Sequence, residues 1–115
     1  MADRSDIPVV STISGRHHPD NPRLTVFVRW PWSPSHQLFV EVVKQEIPKG
    51  QRAFDPGEPG TGGRPKGWWV TPAQLDRICD LLHERYGRVR LETEDGTMVI
   101  GEGGEVLEEE QARLI

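Results

Sequence analysis

The chain is poor in the features that make a function easy to assign. Its 115 residues include one cysteine, so no disulfide can form within it and a disulfide-stapled secreted scaffold is excluded. No apolar run approaches the ~18 residues of a membrane-spanning helix, and no signal-peptide core stands out. The expectation is a protein of the reducing cytoplasm without a membrane partner. No Ser-His-Asp or Cys-His order is apparent: His36 and His83 fall on separate predicted helices, and Cys79 lies in an apolar helix stripe where a small buried hydrophobe is usual. No catalytic residue and no cofactor is assigned, and an enzyme is not expected. His17, His18 and Asp20 lack a matching fourth ligand, so no metal site is assigned either.

What the chain has in excess is proline, ten, and glycine, twelve, which forecasts long loops around a modest regular core. Charge is unevenly spread. Residues 16–90 hold twelve Lys/Arg against eight Asp/Glu, whereas residues 91–115 hold one Arg against eight acids, within a total of −4. A basic body with an acidic tail is a pattern of nucleic-acid binders, and it is equally a solvated, solubilising surface.

Residues 1–22 carry three prolines and no sustained period, and read as a mobile arm with at most a short extended piece at Pro8–Ile13. Order begins where Leu24, Val26 and Val28 alternate with Thr25, Phe27 and Arg29, the period-two pattern of a half-buried strand. Ser33 and Pro34 then open a helix whose expected buried stripe is Leu38, Phe39, Val42, Val43 and Ile47, ended by Pro48 and Gly50. A strand "QRAFD", a Pro/Gly-rich tip and a returning strand "GWWV" follow. Thr71, Pro72 and Gln74 open a second helix as a capping box, with Leu75, Ile78, Cys79, Leu82 and Tyr86 inward and Gly87 as terminator. "RVRLE" and "TMVI" complete a hairpin, and residues 102–115 are left as an acidic tail. The fold class expected over residues 23–101 is α+β: a small mixed sheet with two helices on one face, in the order β-α-β-β-α-β-β.

Ile47-Pro48, Arg52, Phe54-Asp55-Pro56, Trp68-Trp69-Val70 and Pro72 together resemble the HARP (HepA-related protein) domain that precedes the motor of annealing helicases, and related small modules of actinobacterial and phage proteins. The resemblance covers about residues 47–86, with Phe54 where the family usually carries Trp, a longer hairpin tip, and Thr71 inserted before Pro72. It implies the hairpin-plus-helix fold and contact with DNA structures, without the motor, for which this chain has no room.

Other resemblances fail on chemistry. "GEPGTGGR" looks like the phosphate loop of AAA-type ATPases, but Gly63 and Arg64 stand where the Lys and the magnesium-binding hydroxyl belong, and a strand follows instead of a helix. "GGRPKG" is similar to the core of an AT-hook without its leading Arg, which leaves Arg64 and Lys66 as phosphate contacts on a hairpin tip.

Adjacent strand residues point to opposite faces, so Trp68 and Trp69 cannot share one core. With Trp68 and Val70 toward the helices, Phe27, Arg29, Trp69, Arg88 and Arg90 face the other way. Aromatics interleaved with arginines on an open sheet provide ring faces for bases and guanidinium groups for phosphates. The candidate nucleic-acid-binding residues are therefore Phe27, Arg29, Arg64, Lys66, Trp69, Arg88 and Arg90. Two functions fit: an accessory module for single-stranded or junction nucleic acid, or a protein-interaction module, a homodimer included, that uses the same face. The same face is also open to being covered by the chain's own arm or tail.

Overall fold

The alternation at Leu24–Arg29 does become a strand, and every later element of the expected order follows it along the chain. The computed structural model of the protein describes residues 7–31, 36–58, 60, 65–101 and 104–111. Among them lie β1 (Val9–Ser11), β2 (Val26–Arg29), α1 (His36–Glu46), β3 (Arg52–Asp55), β4 (Gly67–Val70), α2 (Leu75–Tyr86), β5 (Arg88–Thr93), β6 (Gly96–Gly101) and β7 (Val106–Gln111). The class is α+β: a seven-stranded mixed sheet, ordered β3-β4-β2-β1-β5-β6-β7, with two helices.

Among the described residues only β1 and β5 pair in parallel, and the other ladders are antiparallel. The path β2–α1–β3 and the path β4–α2–β5 each join strands that run the same way, and they cross the sheet in opposite directions from oppositely pointing strands. The right-handed rule for such crossovers then puts both helices on one face. The packing agrees. Val10, Val26, Val28, Val70 and Val89 of the sheet form one buried cluster with Phe39, Val43 and Ile47 at α1 and Ile78, Leu81 and Leu82 of α2.

Two segments at the ends of the described chain depart from expectation. The arm expected over residues 1–22 contributes β1, which is not at an edge but between β2 and β5: Val10 pairs with Val28 on one side and Leu91 on the other, and is fully buried. A three-residue strand is too short to show a period, yet it gains ladder hydrogen bonds from two neighbours. Residues 1–6 of the arm lie outside the described residues. The acidic tail supplies β7, which pairs with β6 from Gly96↔Gln111 to Ile100↔Val106 with a bulge at Val99/Ile100. β7 is the outermost strand on that side of the sheet.

The buried side of α1 is Phe39, Val40, Val43 and Ile47, at spacings of one, four and eight, while Leu38 and Val42 are 70% and 39% exposed. The expected stripe included the Leu38–Val42 row, which faces solvent, and omitted Val40, which is buried. Its start, at Ser33 and Pro34, lies outside the described residues. Arg52 closes its far end by donating Nε–H to the carbonyl of Ile47 at 2.9 Å. Ahead of α2 the capping box is not made: Pro72–Gln74 form a 3₁₀ turn, and the Thr71 hydroxyl and the Gln74 amide both donate to Oε1 of Gln51, at 3.1 and 2.8 Å. These two polar groups tie the helix start to the chain entering β3 instead. Gly87 ends α2 as expected, in the left-handed region at φ 83°, its N–H donating to the carbonyl of His83. No helix among the described residues is long and apolar enough to cross a membrane.

Candidate functional site

Register defines the face away from the helices. Ser11 and Phe27 are cross-strand partners, Phe27 pairs with Trp69, and Trp69 pairs with Ala53, so these four side chains form one row. The next row holds Arg29, Val9 and Arg90, because Arg29 pairs with Val9 and Val9 with Arg90. Parity therefore places Phe27, Arg29, Trp69, Arg88 and Arg90 on one side of the sheet.

That side is not an open platform. Phe27 and Trp69 are 6% and 3% exposed, and their rings pack at 4.8 Å between centroids, tilted by 55°. Leu24, from the long connection between β1 and β2, closes over both rings, with Ala53 at the margin. Gly67 completes the fit: a Cβ there would lie 2.5 Å from Cζ of Phe27 and 2.7 Å from the backbone oxygen of Val28. The covering loop is pinned. His18 donates its backbone N–H to the carbonyl of Leu24, receives the N–H of Asn21, and its Nε2 meets the carbonyl of Phe54 at 3.2 Å. Its Nδ1 accepts the N–H of Asp20 at 3.0 Å, which assigns the ring proton to Nε2. Both ring nitrogens of His18 are thus engaged with backbone.

The indole N–H explains why Trp69 can be buried here. It donates to Oδ2 of Asp55 at 2.9 Å, while Oδ1 of the same carboxylate accepts the N–H of Gly57 at 2.9 Å. Asp55 is fully buried. A buried indole N–H without an acceptor would cost about 1–3 kcal/mol, so the pair stabilises the burial it accompanies. Phe27 and Trp69 are corrected accordingly: they belong to a second small core and are not available to stack on bases. Trp68, on the helix side as expected, joins a separate aromatic run. It stacks on Trp30 at 6.4 Å and 13° and meets Phe54 at 5.5 Å; Trp30 in turn packs edge-on to Phe39, and Phe39 to Tyr86.

Beside this second core lies a cleft of about 460 Å³, walled by Val9, Trp30 and the charged residues Arg29, Lys66, Arg90 and Glu92. Arg29 and Lys66 are exposed at its rim. Arg90 is 7% exposed, and its Nη2 is buried without a hydrogen-bond partner. Three of the seven candidate residues therefore meet in one place. Arg88 is half-buried, pairs with Gly101 and does not line the cleft, and Arg64 lies outside the described residues. Glu92, Trp30, Val9 and Asp55 were not singled out from the sequence. Asp55 was legible in principle, since it shares the parity of Ala53 and sits one row from Trp69.

Burial, reinforced by Asp76 and Asp80, pushes the Cys79 thiol up to about 11, so it stays protonated at neutral pH and is a poor nucleophile. Nε2 of His83 contacts the carbonyl of Ile100 at 3.0 Å, tying α2 to β6. Among the described residues no group of three His, Cys, Asp or Glu side chains is placed to hold a metal ion. No family model, curated protein or solved structure matches this chain.

Proposed function

We propose that this protein is a small non-enzymatic accessory module that binds single-stranded or junction nucleic acid, with the cationic cleft and not the aromatic face as the contact surface. The observation that carries this reading is Arg90, a guanidinium more than nine-tenths buried with an unpartnered nitrogen, next to two exposed cations. Charge withdrawn from water without a partner is costly, and phosphate is a ligand that Arg recognises well. The cleft holds about 460 Å³, the scale of a site for a small ligand or a short stretch of one strand. With the tryptophans buried, contacts run through phosphate, and little base preference is expected.

The test is a fluorescence-polarisation titration of the wild type and an Arg29→Ala/Lys66→Ala variant against single-stranded, duplex and forked DNA at two salt concentrations. Single-stranded and forked DNA should bind, and their affinity should fall as salt rises. The double variant should lose most of that affinity. Absence of binding by the wild type at low salt ends this reading.

A second reading, docking of a protein partner, is favoured by a different observation: Leu38 and Val42, one turn apart on α1, and Phe54 on edge strand β3 leave apolar surface in solvent. It predicts binding that is insensitive to salt.

A further inference from the structure

We infer that the cleft is a pocket for a single phosphomonoester, so that its ligand is the phosphorylated end of a strand and not an internal phosphodiester; this rests on the nucleic-acid reading above. Three observations converge on it.

The first is charge balance. Arg29, Lys66 and Arg90 face the single carboxylate of Glu92, which leaves the cleft with two positive charges. An internal phosphodiester brings one negative charge, whereas a phosphomonoester brings about 1.5 to 2 at neutral pH and three acceptor oxygens. Only the latter balances the cleft.

The second is the placing of the two arginines. Arg29 on β2 and Arg90 on β5 both pair with Val9 of the intervening β1, one from each side. Their backbones are thus two strand spacings apart, roughly 10 Å, a gap that two long side chains close on one small anion above Val9. Arg90 is held by burial and Arg29 is free to approach from the rim. Planar guanidinium forks converging on one phosphate is geometry that arginine serves better than lysine.

The third is that the cleft is closed toward the second core. One row in from Arg29 and Val9 stand Phe27 and Ser11, and Leu24 covers Phe27 and Trp69. That wall stands two residues along β2 from Arg29, roughly 7 Å, so a strand entering past Lys66 is stopped beside the arginines, which fits a chain end.

The decisive experiment compares one short single-stranded oligonucleotide with hydroxyl ends, with a 5′-phosphate and with a 3′-phosphate, by competition polarisation on the full chain, with inorganic phosphate as the minimal probe in a thermal-shift assay. A phosphate at one end should tighten binding by about tenfold or more, as expected when a charged hydrogen-bonded pair is added. Arg90→Met should abolish that preference while remaining folded, because an apolar side chain of similar volume replaces a buried charge. Arg29→Ala, at the exposed rim, should reduce the preference several-fold and guards against misfolding of the first variant, while Glu92→Gln should tighten binding of inorganic phosphate. Equal affinity for all three oligonucleotides overturns the pocket and leaves general nucleic-acid binding standing. Stabilisation by inorganic phosphate, lost in Arg90→Met, with no oligonucleotide binding at all supports the pocket and removes the nucleic-acid reading.

Discussion

On the helix-bearing face, valines of five strand positions meet leucine, isoleucine, valine and phenylalanine from the two helices and the residue after α1, and the buried polar side chains Ser11, His18, Asp55 and Arg90 are not among them. On the opposite face a loop has to do what two helices do. Leu24 covers Phe27 and Trp69, but the cover is thin, and the second core needs a buried carboxylate to receive the Trp69 N–H and a histidine to pin the loop. Where the loop stops, Val9 and Arg90 line a cleft. Helices hide their own polar backbone and so present a purely apolar surface; a loop cannot, and brings polar groups that must be paired inside. The face with the less regular cover is therefore the one that carries buried polar chemistry and a candidate ligand site.

The comparison is most easily broken at Trp69. Trp69→Ala should cost about 3–5 kcal/mol in urea denaturation, as large as Leu82→Ala in the helix-side cluster. A loss under about 0.5 kcal/mol would return Trp69 to the status of a surface residue and collapse the idea of a second core. Next in size is Gly67→Ala, expected to cost about 1–3 kcal/mol because the new methyl meets both the Phe27 ring and the backbone of Val28. Asp55→Asn removes the charge from a buried acceptor of two N–H groups and should cost about 1–2 kcal/mol; an unchanged midpoint would mean that Trp69 is satisfied some other way.

A smaller effect separates the faces by pH. The folded state holds the Cys79 thiol neutral up to about 11 where an unperturbed thiol titrates at 9.0. The folded value is raised, so the associated stability is complete below pH 9 and is lost as pH rises from there toward 11. Replacing Cys79 by Ala should flatten that alkaline decline, measured as the denaturation midpoint from pH 8 to 10.5. Smallest of all is Leu38→Ser, which should change stability by less than about 0.5 kcal/mol, since its side chain is already in solvent. A larger loss would place Leu38 in the core after all.

Much of the fold was legible because its signals are local. Period-two alternation located β2 and β5, turn and hairpin signals located β3, β4 and β6, the 3.6-residue stripes located both helices, and Gly87 marked the end of α2. The parity argument also separated Trp68 from Trp69 correctly. It misled at the next step, by equating the side away from the helices with solvent. β1 was read only as a short extended piece at Pro8–Ile13, because three residues are too few to establish an alternation, and β7 was not expected because Glu108–Glu110 has poor strand propensity and is held by pairing with β6. At the candidate site, Arg29, Lys66 and Arg90 were recognisable as cations of one face, but their convergence was not, since it depends on the parallel pairing of residues 9 and 90.

By itself, then, the sequence determined which segments are strands and helices over most of the chain, which face each side chain takes along the central strands, and that no catalytic motif stands out. Those properties are set by neighbours a few residues apart. Only the tertiary structure decided that Trp69 is buried on Asp55, that Leu24 covers it, and that Arg90 lies unpaired beneath an accessible cleft. Each of these joins positions far apart in the chain, and desolvation depends on what finally covers a group, which no local pattern encodes.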